Sequence, residues 1–438
     1  MAERRTLEVR ALARVEGEGA LHLGFEGDRL VDLRLEIFEP PRLFEAFLRG
    51  REVAELPDLV ARICGICPVA YQMSAVHALE EIFGVEIHPQ VRALRRLYYA
   101  GEWMESHLLH MTFLAAPDYL GLDDAFEIAR FERAQVERSL RLRQLGNRIL
   151  ALLGARAVNP AGVCIGGFHR APTADEIREL GDALRLARGE AESLALWFLA
   201  LPVPRRPQDL ELVALRHPDE YPMNEGRLVS SQGLDLPVSG FAEVFEEFQV
   251  PHSTALHCRV RERGPYLVGP LARVWLNRDR LSPTAAHWLE RFGDRFGQPD
   301  PAASVFARAI EVMQAIDEAI EVCDAYRPLA EAELRPTWSP RAGEASWATE
   351  APRGTLVMRV RSSGDGRVEE IRIVPPTSQN QGQIEADLRG LAPDLLRLAE
   401  PDARRLCESA IRDYDPCISC STHFLDLRVS RRGAPEAP

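Results

Sequence analysis

The chain contains no lysine: all 53 of its basic residues are arginine. Schiff-base chemistry and lysine nucleophiles are thereby excluded. Basic charge is also in the minority, against 66 acidic residues and a net charge of −13. That balance lacks the positive footprint that nonspecific nucleic-acid binding needs, so no nucleic-acid partner is expected. No apolar run reaches the ~18 residues of a membrane span, and no membrane association is expected. The first residues lack the charged start, apolar run and small-residue cleavage site of a signal peptide. A cytoplasmic location follows as the expectation, in a compartment that keeps thiols reduced. Internal repeats, low-complexity tracts and a G-x-G-x-x-G nucleotide fingerprint are all missing.

What is present reads as an ordinary soluble globular chain, 46% hydrophobic and 27% charged, long enough for a large core. Residues 6–50 form an N-terminal β region. Leu7, Val9 and Ala11 alternate with polar neighbours, and two further alternating runs meet at Gly27-Asp28. Between them, Arg14-Val15-Glu16-Gly17-Glu18-Gly19 puts a carboxylate at a bend; taken alone it reads as a solvated hairpin turn. A short helix over 42–49 carries Glu45, which taken alone reads as part of a solvated helix face.

Residues 51–200 are a helical bundle. Val91, Leu94, Leu97, Met104, Leu108 and Met111 recur on one helical face, which Pro117 is expected to close. Helices are expected over 124–153 and 174–199, the second with Thr173 as N-cap. Residues 201–300 read as an irregular insert. Residues 301–423 then supply a helix over 301–325, a Pro/Trp/Ser-rich loop over 335–350 and a β-hairpin around Ser362–Gly366. Two helical stretches over 384–392 and 402–412 lead to a C-terminal motif. The fold class expected is α+β and predominantly helical: a central long-helix bundle with peripheral small β-sheets, residues 1–423 forming one unit. Residues 424–438 read as a detachable tail.

Chemistry concentrates in two thiol pairs. Cys64-Gly65-Ile66-Cys67 lies near one end, and Asp415-Pro416-Cys417-Ile418-Ser419-Cys420-Ser421-Thr422-His423 near the other. By spacing alone, three readings stay open. Two redox dithiols are one, although no βαβ pattern surrounds either pair. A structural zinc site is another, although zinc ribbons close over ~15–20 residues. The third is a catalytic metal at the centre of the fold, where soft thiolates favour nickel, iron, copper(I) or zinc. Four thiolates at one point need compensation from metal charge and from nearby donors such as Arg353. Cys164, Cys258, Cys323 and Cys407 have no partner at ligand spacing and read as small buried hydrophobes. His77, His107 and His110 read as core histidines.

Together the two motifs resemble the signatures of nickel–iron hydrogenase large subunits. The resemblance spans the chain, taking in Arg14-Val15-Glu16-Gly17, Glu350-Ala351-Pro352-Arg353-Gly354 and Val374-Pro375-Pro376-Thr377-Ser378-Gln379-Asn380. The flanks are most similar to the soluble NAD(P)-linked and sulfhydrogenase-type group. The resemblance implies that Cys64, Cys67, Cys417 and Cys420 ligate nickel, with Cys67 and Cys420 bridging to an iron that carries carbon monoxide and cyanides. Magnesium ligands map onto Glu45 and His423, with a backbone carbonyl near Ile373. Pro376 and Thr377 border the iron, and Thr377 donates a hydrogen bond to a cyanide. Arg353, paired with Asp415, stabilises the anionic ligand sphere, and Cys417 passes a proton to Glu16. Guanidinium stays protonated in proteins, so a terminal thiolate is the better base. Tyr71 and Ser106 stand where the family usually has a histidine and an acidic residue.

The implied reaction is the reversible cleavage of H2 into protons and electrons. No iron–sulfur cluster or flavin is expected in this chain. An iron–sulfur small subunit is therefore the expected partner, with flavin/NAD(P) diaphorase subunits beyond it. A maturation endopeptidase joins them if the tail is cleaved. Other readings are an F420-linked or other soluble hydrogenase, a metal-free quinone-module subunit and a zinc-stabilised scaffold.

Overall fold

The computed structural model describes residues 4–422. Strands β1 (Arg4–Val9), β2 (Gly19–Glu26) and β3 (Arg29–Ile37) pair antiparallel in that order, and the inward members of the alternation, such as Leu21, Leu23 and Leu35, are buried. A short helix α1 (Phe44–Leu48) follows, and then α2 (Pro68–Phe83). Pro68 occupies the first turn of α2, where its missing N–H costs nothing.

The bundle consists of α3 (Pro89–Leu108), α4 (Arg133–Gly154), α5 (Ala174–Ala200) and, from later in the chain, α7 (Ser304–Ala325). α3 packs on α4 and α7, and α5 closes against both of them. The whole apolar stripe from Val91 to Met111 is buried. α5 begins as the sequence indicates: Thr173 and Glu176 form a reciprocal capping box.

Between the bundle helices in sequence lie the hairpin β4 (Phe245–Gln249) and β5 (Leu256–Val260), and helix α6 (Pro270–Leu276). Beyond α7 comes a three-stranded antiparallel sheet, β6 (Gly343–Ala351), β7 (Gly354–Ser362) and β8 (Val368–Val374), against which α2 packs. Helices α8 (Pro376–Gly390) and α9 (Glu400–Arg412) lead to the C-terminal thiols. One hydrophobic cluster runs from Leu7 to Cys420 and includes all four motif cysteines.

The structure differs from the sequence reading at several places. The expected helix over 124–153 is broken at Glu132 (φ −127°, ψ 45°) into Ala125–Phe131 and α4, although neither glycine nor proline marks the spot. Pro117 does not end the preceding helix. α3 widens into a π-helical segment, Leu109–Ala115, and continues through Ala116–Leu120, where proline sits harmlessly in the first turn. The second half of the supposed loop over 335–350 becomes β6, because pairing with β7 supplies its hydrogen bonds. α8 begins at Pro376, eight residues earlier than expected. Of the four remaining cysteines, Cys258 and Cys407 are buried, but Cys164 and Cys323 are only partly covered.

The α3–α4 contact is close because both helices present glycine. A Cβ on Gly146 would lie 2.7 Å from the carbonyl oxygen of Gly101. Gly146→Val should therefore lower folding stability by about 1–3 kcal/mol through overpacking, read as a lower urea midpoint. An unchanged midpoint would show that the helices can separate at no cost.

Candidate metal centre

The two thiol loops, 353 residues apart in sequence, meet in the interior. Cys64 Sγ lies 3.5 Å from Cys417 Sγ, Cys67 Sγ 3.6 Å from Cys420 Sγ, and Cys417 Sγ 2.8 Å from Cys420 Sγ. All four sulfurs fall within 4.8 Å of one another, all are buried, and none forms a disulfide. Cys64 precedes α2 by one tight turn, so the backbone N–H groups of Ile66 and Cys67 point back at its sulfur. Cys417 has its own N–H donated to Thr377 Oγ1 at 3.0 Å, in the first turn of α8. Thr377 accepts that bond and retains its hydroxyl proton for donation. Pro376 precedes it in the same turn.

Glu16 joins the C-terminal loop as a short parallel bridge. Its carbonyl accepts from Ile418 N–H (2.9 Å), and its Oε2 accepts from Ser419 N–H (3.0 Å) and from Cys417 Sγ (3.2 Å). The solvated turn is thus a half-buried carboxylate in contact with a thiol. Its neighbour Gly17, at φ +90°, approaches Ile418 so closely that a Cβ there would sit 2.6 Å from the Ile418 side chain.

Arg353 occupies the two-residue turn between β6 and β7. Its Nε donates to the Asp415 carbonyl (2.8 Å), its Nη2 to Asp415 Oδ1 (3.1 Å), and its Nη1 reaches Ser106 Oγ at 3.4 Å. Asp415 is held in the left-handed region at φ 52°, a conformation that its two bonds to Arg353 help to fix. Burial opposes the charge on Arg353, but Asp415, Cys417 and Cys67 outweigh it and hold the guanidinium above its ordinary value. Burial likewise opposes the Asp415 carboxylate, and Arg353, His110 and Arg308 hold it below the usual range.

The thiols titrate as one group. Hydrogen bonds from Cys417, Cys420 and Cys67 hold Cys64 well below the usual thiol value. Hydrogen bonds with Cys420, Cys64 and Cys67 push Cys417 well above it. Tyr71 lies beside the cluster, and burial, with Cys420 and Cys67 nearby, raises its hydroxyl far above the ordinary value.

Glu45 is buried rather than solvated, against the reading of its helix as an open face. Its Oε1 accepts from Ile373 N–H at 2.8 Å, and Arg372 lies 3.4 Å from Oε2. It stands against β8, outside the thiol cluster. His423 and residues 424–438 lie outside the described residues. The three core histidines are all buried. His77 stacks on Trp347, His107 Nε2 meets Glu311 at 2.8 Å, and His110 Nε2 meets the Arg412 carbonyl at 2.7 Å.

Several supporting residues were not singled out by the sequence. Arg42 bonds the Ile63 carbonyl (2.7 Å) and the Ser419 carbonyl, and so ties the two thiol loops together. Glu102 accepts from Val69 N–H (2.6 Å) and Ala70 N–H (3.3 Å), capping α2 just after Cys67. Arg308 stands 3.7 Å from Asp415 Oδ2, and burial lowers it to about 10. Arg273 grips both oxygens of Glu311 (2.6 and 2.7 Å), reaches Glu350 (3.1 Å) and donates to the carbonyls of Ala351 and Pro352, fixing the turn that carries Arg353. The available signal was charge within an apolar face: Glu102 interrupts the α3 stripe, and Arg308 and Glu311 interrupt α7. Arg42 offers no such signal. A surface groove lies elsewhere, lined by residues such as Phe245, Trp347 and Arg359, and none of the four thiols borders it.

Four buried thiols with cationic and N–H donors around them form a donor set suited to a soft metal. The donor set fits a soft cation, because the sulfurs converge without bonding one another. A family model described as nickel-dependent hydrogenase matches residues 42–141. Sulfhydrogenase 1 subunit alpha of Pyrococcus furiosus is 31% identical over 424 residues, 95% of this chain and 97% of that one. NAD-reducing hydrogenase HoxS subunit beta of Cupriavidus necator is 27% identical, over 96% and 95%. A solved NAD+-reducing [NiFe]-hydrogenase in the H2-reduced state superposes with a TM-score of 0.86 at 26% identity, over 97% of this chain and 100% of that one. The chain belongs to the nickel-dependent hydrogenase family as a large subunit, and cleavage of H2 is the reaction of that family.

The buried Glu311 network carries a stability consequence. Arg273 and His107 hold the Glu311 carboxylate at about 2 against the opposing effect of burial. Glu311→Gln should cost about 3–5 kcal/mol, because it leaves Arg273 partly uncompensated in the interior. Its depressed value also means that the stabilisation is present above pH ~4.5 and is lost as pH falls towards 2. A variant as stable as wild type at neutral pH would show that Glu350 alone satisfies Arg273.

Proposed function

We propose that this chain is the H2-cleaving subunit of a cytoplasmic hydrogenase whose electrons pass to an iron–sulfur small subunit and on to NAD(P). The convergence of Cys64, Cys67, Cys417 and Cys420 on one buried point is the observation that carries the reading. All four would hold nickel, and Cys67 and Cys420 would also help to hold an iron bearing carbon monoxide and cyanide. Bound there, the group supplies the Lewis-acid and redox chemistry that polarises H2 and collects its electrons.

The protein's own part is to take a proton and to keep the anionic site in balance. Cys417 Sγ is the proposed acceptor, and its contact with the Glu16 carboxylate supports that role. Glu16 Oε2, 3.2 Å away, receives the proton next and stands half-buried towards solvent. Arg353 keeps its charge, anchored by Asp415, and acts through its field rather than as a base. Thr377 positions the Cys417 backbone and keeps a hydroxyl proton to donate to a cyanide. A magnesium ion held by Glu45 and His423 would sit beside the Ile373 backbone, where Glu45 already makes a hydrogen bond.

Partners follow from what the chain holds. Among the described residues, Cys164, Cys258, Cys323 and Cys407 join no cluster that could bind an iron–sulfur centre, so electrons must leave for another polypeptide. The NAD(P) acceptor, reached through diaphorase subunits, is supported by likeness to the NAD-reducing enzymes. No helix among the described residues is long and apolar enough to cross a membrane. If residues 424–438 are cleaved, a maturation endopeptidase is a further partner.

The purified complex should contain nickel and iron near one each per chain and show infrared bands of metal-bound carbonyl and cyanide. Zinc alone, without such bands, would overturn the assignment. Glu16→Gln should keep both metals yet slow H/D exchange by about 100-fold or more, the range of a lost proton-transfer group. Exchange at the wild-type rate would mean that protons leave by another route.

A further inference from the structure

Away from the thiols, helix α8 helps to build a second group of metal-binding side chains. Glu385 lies eight residues beyond Thr377, so both fall near one face of α8. Its Oε1 accepts from Leu35 N–H in β3 (3.1 Å) and lies 2.8 Å from Nε2 of His252, in the loop between β4 and β5. His257, on β5, turns its ring edge-on to His252 with ring centres 6.0 Å apart. Candidate ligand atoms of His252, His257 and Glu385 all lie within 4.8 Å of one another.

Two further observations point to a ligand. His257 is only 2% exposed, and its Nε2 makes no hydrogen bond of good geometry, although the Gln381 side chain stands beside the ring. Stranding a buried ring nitrogen is unfavourable, and a coordinated cation would relieve it. Burial also holds His257 down at about 4, against the pull of Glu385, so the imidazole is neutral and free to ligate near pH 7. Arg389 takes Oε2 of Glu385 at 3.3 Å, so Oε1 is the carboxylate oxygen that faces the imidazole of His252.

We propose that His252, His257 and Glu385 form a binding site for a divalent transition metal of the zinc type, separate from the thiol centre. Two imidazoles and one carboxylate suit zinc, with water as the fourth ligand, and disfavour magnesium and calcium, which prefer all-oxygen shells. His252, whose side chain is 18% exposed, gives the route of entry. The bound ion would clamp the β4–β5 hairpin, β3 and α8 together, and α8 is the helix whose first turn holds Thr377 against Cys417.

The test uses the matured complex with nickel and iron already in place. It is incubated with Zn2+, desalted, and analysed for metals alongside His257→Ala and His252→Gln. The second variant lies at a partly exposed position and guards against misfolding at the first. Wild type should carry about one zinc per chain beyond its nickel and iron, and both variants should lose it while keeping nickel, iron and H2 oxidation. X-ray absorption at the zinc edge should show nitrogen and oxygen neighbours and no sulfur. Equal zinc in wild type and variants, no excess zinc in wild type, or sulfur ligation would each overturn the site. His257 would then be satisfied by Gln381 instead, the side chain already interacting with it.

Discussion

Everything in this protein answers to one electrostatic demand: four cysteine sulfurs must share one buried point. In an apolar interior their deprotonation would be prohibitive without compensation. The surrounding donors are arranged for that purpose. Arg353 adds a full charge, Asp415 holds it in place, and backbone N–H groups at the start of α2 aim at Cys64. Arg42 clasps both thiol loops by their carbonyls. A soft metal cation held there would complete the balance, which agrees with the chain's place among the nickel-dependent hydrogenases.

The rest of the fold keeps that point rigid. The turn bearing Arg353 is held by Arg273, itself clamped by Glu311 and Glu350 and stacked over Trp103 at 4.6 Å. Such a fully buried network is costly in desolvation, yet each member has partners, so it fixes geometry rather than merely adding stability. Glycines at the α3–α4 crossing allow close approach, and α3 also carries Glu102 to the start of α2 and Ser106 to Arg353. Helix packing and active-site geometry are therefore the same problem in this chain. The parallel contact between Glu16 and Cys417 extends the logic to the N-terminal β region, which places the Glu16 carboxylate against the C-terminal thiol.

Much of this was legible in the residues. The periodic stripe of α3, the capping box of α5 and the hairpin β7–β8 each depend on local pattern, and local pattern survives folding. Where the sequence misled, long-range pairing decided. β6 has no strong alternation of its own and exists because β7 offers partners along its whole length. Glu16 and Glu45 looked like solvated acids until strands and loops from the far end of the chain covered them. The break at Glu132 has no local marker, and the structure gives no physical account of it.

The sequence by itself determined the ligand inventory: two C-x-x-C pairs, soft donors and no lysine, in an order that resembles one family. Residue chemistry is a local property, and it can be read without coordinates. Only the tertiary structure decided which charges stand near the sulfurs. Arg42, Glu102, Arg308 and Arg273 come from separate elements; Glu102 and Arg308 stand out only as charges within apolar helical faces, and nothing near Arg42 announces its role. The reason is physical: compensating a buried charge depends on distance through space, and distance is set by the packing of helices far apart in the chain.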